Sequence, residues 1–173
     1  MALLPILEVP DPRLKVKAAP VTEVDAQLRK TVNDMLETMY KAPGIGLAGT
    51  QVGVMKRICV LDVADRKAGE EPRPMVLLNP DVAWRSEDED TAEEGCLSLP
   101  NQYADVTRPK AVRVRYLDLE GAEQEVEADG LLARCLQHEI DHLDGVLFVD
   151  HLSALRRNML LRKLAKTRRS ARG

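Results

Sequence analysis

No six residues of this chain constrain it more than Gln137-His138-Glu139-Ile140-Asp141-His142. On a helix, positions i and i+4 share a face, so His138 and His142 can converge on one ion while Glu139 leans over its open coordination position. Two imidazoles so spaced, with a carboxylate beside the first, form a metallohydrolase signature, and the chemistry expected there is water activation. A helix can also carry two histidines for unrelated reasons, such as caps or satisfied core hydrogen bonds. Context favours the metal, because two of only three histidines stand at ligand spacing. Asp129-Gly130 can start a helix here and Asp144-Gly145 can stop it. Leu131, Cys135, His138 and His142 then follow at helical offsets and place both imidazoles on the inward stripe. A buried imidazole pair needs a partner, and a metal ion is a natural one.

A catalytic ion of this kind usually takes three protein ligands and leaves a position to water. His151 lies beyond the helix stop and reads as a surface residue. Upstream, Glu93-Glu94-Gly95-Cys96-Leu97-Ser98-Leu99-Pro100 offers Cys96, whose thiolate is a strong soft ligand. Three cysteines without a convincing secretory signal argue against a disulfide framework. Cys59, inside the β-like run Arg57 to Val63, reads as a small buried hydrophobe. Cys135, one turn before His138, would crowd the ion as a ligand and reads as pocket lining.

The third constellation is Gly44-Ile45-Gly46-Leu47-Ala48-Gly49-Thr50-Gln51-Val52-Gly53. It lacks the Gly-Lys-Ser/Thr ending of a P-loop and follows a helix, which argues against nucleotide binding. Its glycines let backbone approach a ligand closely and pair with an extended peptide, although an ordinary glycine-rich turn would look the same.

Taken together, these segments resemble the peptide deformylase family, which shows GxGLAAxQ, EGCLS and QHExDH in that order. Here they read Gly44 to Gln51, Glu94 to Ser98 and Gln137 to His142. Similarity extends to Pro10 to Leu14 and to Glu127 to Arg134, covering roughly residues 5 to 150. Gly49 departs from the family's usual alanine and is expected to loosen the loop.

The resemblance implies removal of the formyl group from the starting methionine of new polypeptides, with release of formate. Cys96, His138 and His142 would hold one divalent metal, favouring Fe(II), although two imidazoles and a thiolate suit Zn(II) by ligand type. Ni(II) and Co(II) would be substitutes. Glu139 would act as the base, with Gln51 and the backbone N–H of Leu97 donating to the developing oxyanion. Ile45, Gly46 and Gly95 would pair with the peptide backbone. Leu131, Cys135 and the aliphatic part of Arg134 would wall the methionine pocket. Glu94, paired with Arg108, would orient the cysteine loop.

Composition fits a single domain of 173 residues that is 45% hydrophobic, without an apolar run of membrane-spanning length. The N-terminal stretch from Met1 to Leu7 has no positive n-region and is interrupted by Pro5, so a cytoplasmic enzyme is expected. The fold class expected is α+β: antiparallel strands around a central helix that carries the histidine motif, plus a C-terminal helix. A first helix is placed at Asp25 to Tyr40, with strands at Arg57 to Val63, Val76 to Asn79 and Val112 to Leu117. Ala64 to Pro74 and Ser86 to Glu94 read as solvated loops. Residues 1–150 form the expected catalytic unit and 151–173 a basic helix packed on it or extending from it.

That tail holds eight Lys or Arg and no acid, leaving −11 on the remainder of a chain whose total is −3. Leu155, Met159, Leu160 and Leu164 supply an apolar stripe. A packed helix with a charged face, a membrane-surface helix and an RNA contact are the competing readings. The family resemblance favours docking on the ribosome near the exit tunnel, with no role for DNA or membrane. A generic peptidase and a non-catalytic ribosome-associated relative are the alternative functions.

Overall fold

A computed structural model of the chain describes residues 2–172; Met1 and Gly173, the ends of the two terminal segments read above, lie outside the described residues. The architecture is α+β, with strands antiparallel throughout. Helix α1 spans Ala26–Lys41. Asp25 caps it by accepting from the Leu28 N–H at 2.8 Å, which satisfies one of the orphan donors of the first turn. Strands β1 (Gly46–Ala48), β2 (Ile58–Leu61) and β3 (Met75–Arg85) follow, then β6 (Ala111–Leu117) and β7 (Glu123–Asp129), in the sheet order β1-β2-β3-β6-β7. Between β3 and β6 the chain forms a separate ladder of β4 (Glu89–Cys96) and β5 (Leu99–Pro109). Helix α2 (Gly130–Leu143) and helix α3 (Ala154–Arg172) complete the chain.

The period-two rule explains the layering. In β2, Cys59 and Leu61 pack with Leu136, Ile140 and Leu143 of α2, while Ile58 and Val60 pack with Val32, Met35 and Met39 of α1. The sheet therefore lies between two helices, and α2 is driven against it by an almost wholly buried surface. The β4–β5 ladder has its own core, in which Leu99, Ala104 and Val106 meet Leu14 and Phe148 with Leu160 and Leu164 of α3. Burying each leucine is worth ~1.5–3 kcal/mol, so the tail helix is anchored along one edge. Leu155 and Met159, expected on the same stripe, are 69% and 56% exposed.

Two expectations change. Ser86 to Glu94 is not a loop: Glu89 onward is β4, in which Glu89, Asp90 and Glu93 are exposed while Glu94 is buried, and whose register comes from pairing with β5. Nor does Gly49 loosen its turn. It is buried, and a Cβ there would lie 2.6 Å from the Val54 carbonyl oxygen and 2.9 Å from that of Lys56, closer than side chains pack.

Candidate active site

The floor of the site is built from α2 and the end of β4. His142 Nε2 lies 3.2 Å from His138 Nε2 and 3.3 Å from Cys96 Sγ. Ligand atoms about 2.0–2.3 Å from a tetrahedral ion stand roughly 3.3–3.6 Å apart, so the trio fits a single metal ion with slight expansion. Cys96, His138 and His142 are the group among the described residues whose ligand atoms converge in this way. His151 is exposed and stays outside the trio.

Electrostatics agree with that fit. Burial and the facing His138 hold His142 well below the usual imidazole range, which leaves its lone pair available. Burial also disfavours a charged His138, but Cys96, Glu139 and Glu94 outweigh it and push that ring well upward. These surroundings favour a positive charge, which a divalent cation supplies. On the far side of His138, Nδ1 meets Glu94 Oε1 at 2.9 Å, fixing the ring so that Nε2 faces the trio.

Glu94 has every lone-pair direction occupied. Besides His138, it accepts from Arg108 Nε and Nη2 at 2.6 and 2.9 Å and from Arg134 Nη1 at 2.6 Å. Arg108 also reaches Asp141, which meets His151. Arg134 thus has a polar duty besides lining the cleft, since its guanidinium also donates to the carbonyl oxygens of Val106 and Asp90. Sequence reasoning assigned no role to Asp141, nor to Phe148, whose ring stacks on His138 with centroids 6.2 Å apart. Asp141 stood inside the histidine motif as its signal; Phe148 had none.

Glu139 is 4% exposed and lines the cleft, and its Oε1 has no hydrogen-bond partner among the described residues. Burial is the main reason its carboxyl is pushed up to about 7, against the opposing pull of His138 and Arg108. Gly46 is required beside it, since a Cβ there would run into Glu139 Oε2 and press on Cys135 Sγ. Gly46→Ala is therefore expected to displace the Glu139 carboxylate and lower turnover by roughly 10²-fold, with metal content retained. Steady-state formate release with elemental analysis checks this.

A cleft of about 740 Å³ opens over these groups. The structure brings Ile45, Gly46, Gln51, Gly95, Leu97, Leu131, Arg134 and Cys135 to its walls. Leu131 departs from the inward stripe and is 54% exposed, because it occupies the first turn of α2 at the mouth. Gln51 is buried, with Nε2 3.4 Å from Cys96 Sγ and 3.1 Å from Ser98 Oγ, and its Oε1 accepts from the Ala48 N–H. The Ile45 carbonyl accepts from Asp62 N–H within the fold. β1 is an edge strand and β4 pairs only with β5, so each offers an unpaired edge.

Comparison with known proteins gives this arrangement its class. Residues 3–158 match the family model for polypeptide deformylase. The chain is 56% identical over 171 residues to a peptide deformylase of Rhizobium meliloti, covering 97% of each. It resembles the crystal structure of a peptide deformylase from Legionella pneumophila with a TM-score of 0.91 and 46% identity, covering 99% of both chains. A peptide deformylase from Ehrlichia chaffeensis in complex with actinonin superposes at a TM-score of 0.90 with 43% identity, covering 96% of this chain and 98% of that one.

The chain belongs to the polypeptide deformylase family. Its members are metal-dependent hydrolases that remove the N-formyl group from nascent polypeptides.

Proposed function

We propose that this chain deformylates N-formylmethionyl peptides at one divalent cation held by Cys96, His138 and His142. The observation that carries this reading is the convergence of those three ligand atoms beneath a cleft lined by the buried, unpartnered carboxylate of Glu139. Such a cation supplies Lewis acidity and makes an attacking water available near neutral pH. Glu139 takes the water's proton as the formyl carbon is attacked and returns one to the departing amine. The Gln51 amide and the Leu97 backbone N–H donate to the formyl oxygen as it gains charge, each worth ~3 kcal/mol. An extended peptide lies along the open edges near Ile45, Gly46 and Gly95, with its methionine side chain among Leu131, Cys135 and the stem of Arg134.

Fe(II) is the ion we assign in the cell, on family resemblance, with Zn(II), Ni(II) and Co(II) as substitutes. Formate should appear from formyl-Met-Ala-Ser with protein purified without oxygen and loaded with Fe(II) or Ni(II). Cleavage of unformylated peptides in its place would favour a generic peptidase.

We assign the enzyme to the cytoplasm, with α3 as its contact to the ribosome near the exit tunnel. No described helix is long and apolar enough to cross a membrane. Arg162 and Arg169 stand seven residues apart on the exposed face of α3 and suit phosphate contacts. Deleting the helix would also strip Leu160 and Leu164 from the core, so charge reversal is the cleaner test. Arg162→Glu with Arg169→Glu should weaken ribosome co-sedimentation about tenfold at moderate salt. Unchanged, salt-insensitive binding would refute the contact.

A further inference from the structure

We infer that the substrate peptide continues from the cleft into a second groove, between β5 and α3, which selects acidic residues from about the fourth position onward. This rests on the deformylase reading and extends it to parts of the substrate remote from the formyl group.

Tyr103 joins the two spaces, since it lines both the cleft and a neighbouring groove of about 410 Å³. It stands opposite Gly95 in the β4–β5 ladder, and its ring lies against that residue; a Cβ on Gly95 would be 2.5 Å from the ring. Gly95 immediately precedes Cys96. One peptide step and one cross-strand step, nearly perpendicular, therefore separate the metal ligand from Tyr103, roughly 6–7 Å between Cα atoms. An extended peptide advances ~3.3 Å per residue, so its third or fourth residue reaches Tyr103 and those after it enter the groove.

The far wall is a strip of α3. Arg156, Met159, Lys163 and Lys166 follow at offsets of three, four and three, which aligns them along one flank of the helix, and all line the groove. Tyr103 and Met159 are 60% and 56% exposed and form an apolar strip between the cations. On the opposite flank, Arg157 and Arg168 have Asp150 and Glu8 as partners. Arg162 lines the groove as well, and among the described residues the four cations of the groove have no ion-pair partner. The cleft itself carries Glu8 and Glu93, so the sign of charge reverses along the path. A chain with neutral or basic residues next to the methionine and acidic ones further on matches that pattern. Confinement beside apolar walls strengthens the effect over an open surface.

The test compares two formylated octapeptides that are identical through the third residue and carry Asp or Lys at positions five and seven. Turnover of formyl-Met-Ala-Ser by each metal-loaded preparation is the reference. The Asp peptide should show kcat/KM roughly fivefold higher through KM, with the difference shrinking at high salt. Lys163→Glu with Lys166→Glu should reverse the preference. Equal kcat/KM for the two octapeptides, or a preference unmoved by the double substitution, overturns the groove assignment. Binding of an RNA hairpin lost in that variant, with no peptide preference in the wild type, would overturn it in favour of nucleic acid. Absence of formate from even the tripeptide would overturn the deformylase reading itself, a distinct result.

Discussion

Glu139→Gln is expected to lower kcat for formate release by about 10²–10⁴-fold while leaving metal content unchanged. The amide has the shape of the carboxylate but cannot take a proton from water. Little else should be lost, because among the described residues Glu139 Oε1 has no hydrogen-bond partner and the carboxylate forms no ion pair. The substitution also removes a titrating group whose pKa burial raises from 4.5 to about 7. A raised acid favours the folded state below its unfolded pKa, and that contribution disappears as pH rises through the folded value. Metal-free wild type should therefore lose stability relative to Glu139→Gln as pH rises from about 4.5 to 7. Formate assays, elemental analysis and thermal melts across that range check both halves. A variant with full metal and wild-type turnover would show that another group moves the proton.

What the sequence revealed of the site depended on how local its geometry is. His138, Glu139 and His142 are organised by one helix, so spacing alone placed them side by side. Cys96 reaches them from the end of another strand, and it was singled out by the chemistry of its side chain and by motif order. The links that hold these side chains in place, Arg108 to Glu94 and Asp141, join residues 14 and 33 positions apart. Of these, motif resemblance suggested the first and offered nothing for the second. The fold shows the same division. Helix α1 was legible from its apolar period, and β2 from its apolar run. β5 was hidden because its inward face includes Gln102 and Arg108 beside Ala104 and Val106, which breaks the alternation of apolar and polar residues. In β7, Val126 and Ala128 alone pack against the core among mainly acidic neighbours, too weak a pattern to register. Both strands exist because their partners supply register, and pairing is a property of two segments.

Arg108→Ala should be strongly destabilising although it replaces none of the proposed metal ligands. Arg108 and Glu94 have side chains 4% and 5% exposed, so the pair is shielded from water. Removing the guanidinium takes two of the four hydrogen bonds from Glu94 and one from Asp141, and leaves their carboxylates short of compensation. Breaking a buried pair from one side typically costs about 3–5 kcal/mol, here equivalent to a fall in Tm of roughly 10 °C. The metal should also be held less well, by ~10–100-fold, because Glu94 fixes the ring of His138. Acid sensitivity follows from the same contacts. Burial alone would raise the Glu94 pKa, but hydrogen bonds from His138 and Arg108 hold it well below the usual carboxylate range. Its stabilising contribution is present above the unfolded value and is lost as pH falls through the folded one. Without Arg108 the folded value moves up, so acid unfolding should begin at higher pH. Arg134→Ala is the comparison, as it removes one bond to the same carboxylate, together with those to the carbonyl oxygens of Val106 and Asp90, and leaves the Arg108 pair intact. Melting curves and chelator competition on both variants decide the matter: equal losses would mean that Glu94 needs donors of any kind, whereas a much larger loss for Arg108 would locate the support of the metal ligands in that single buried pair.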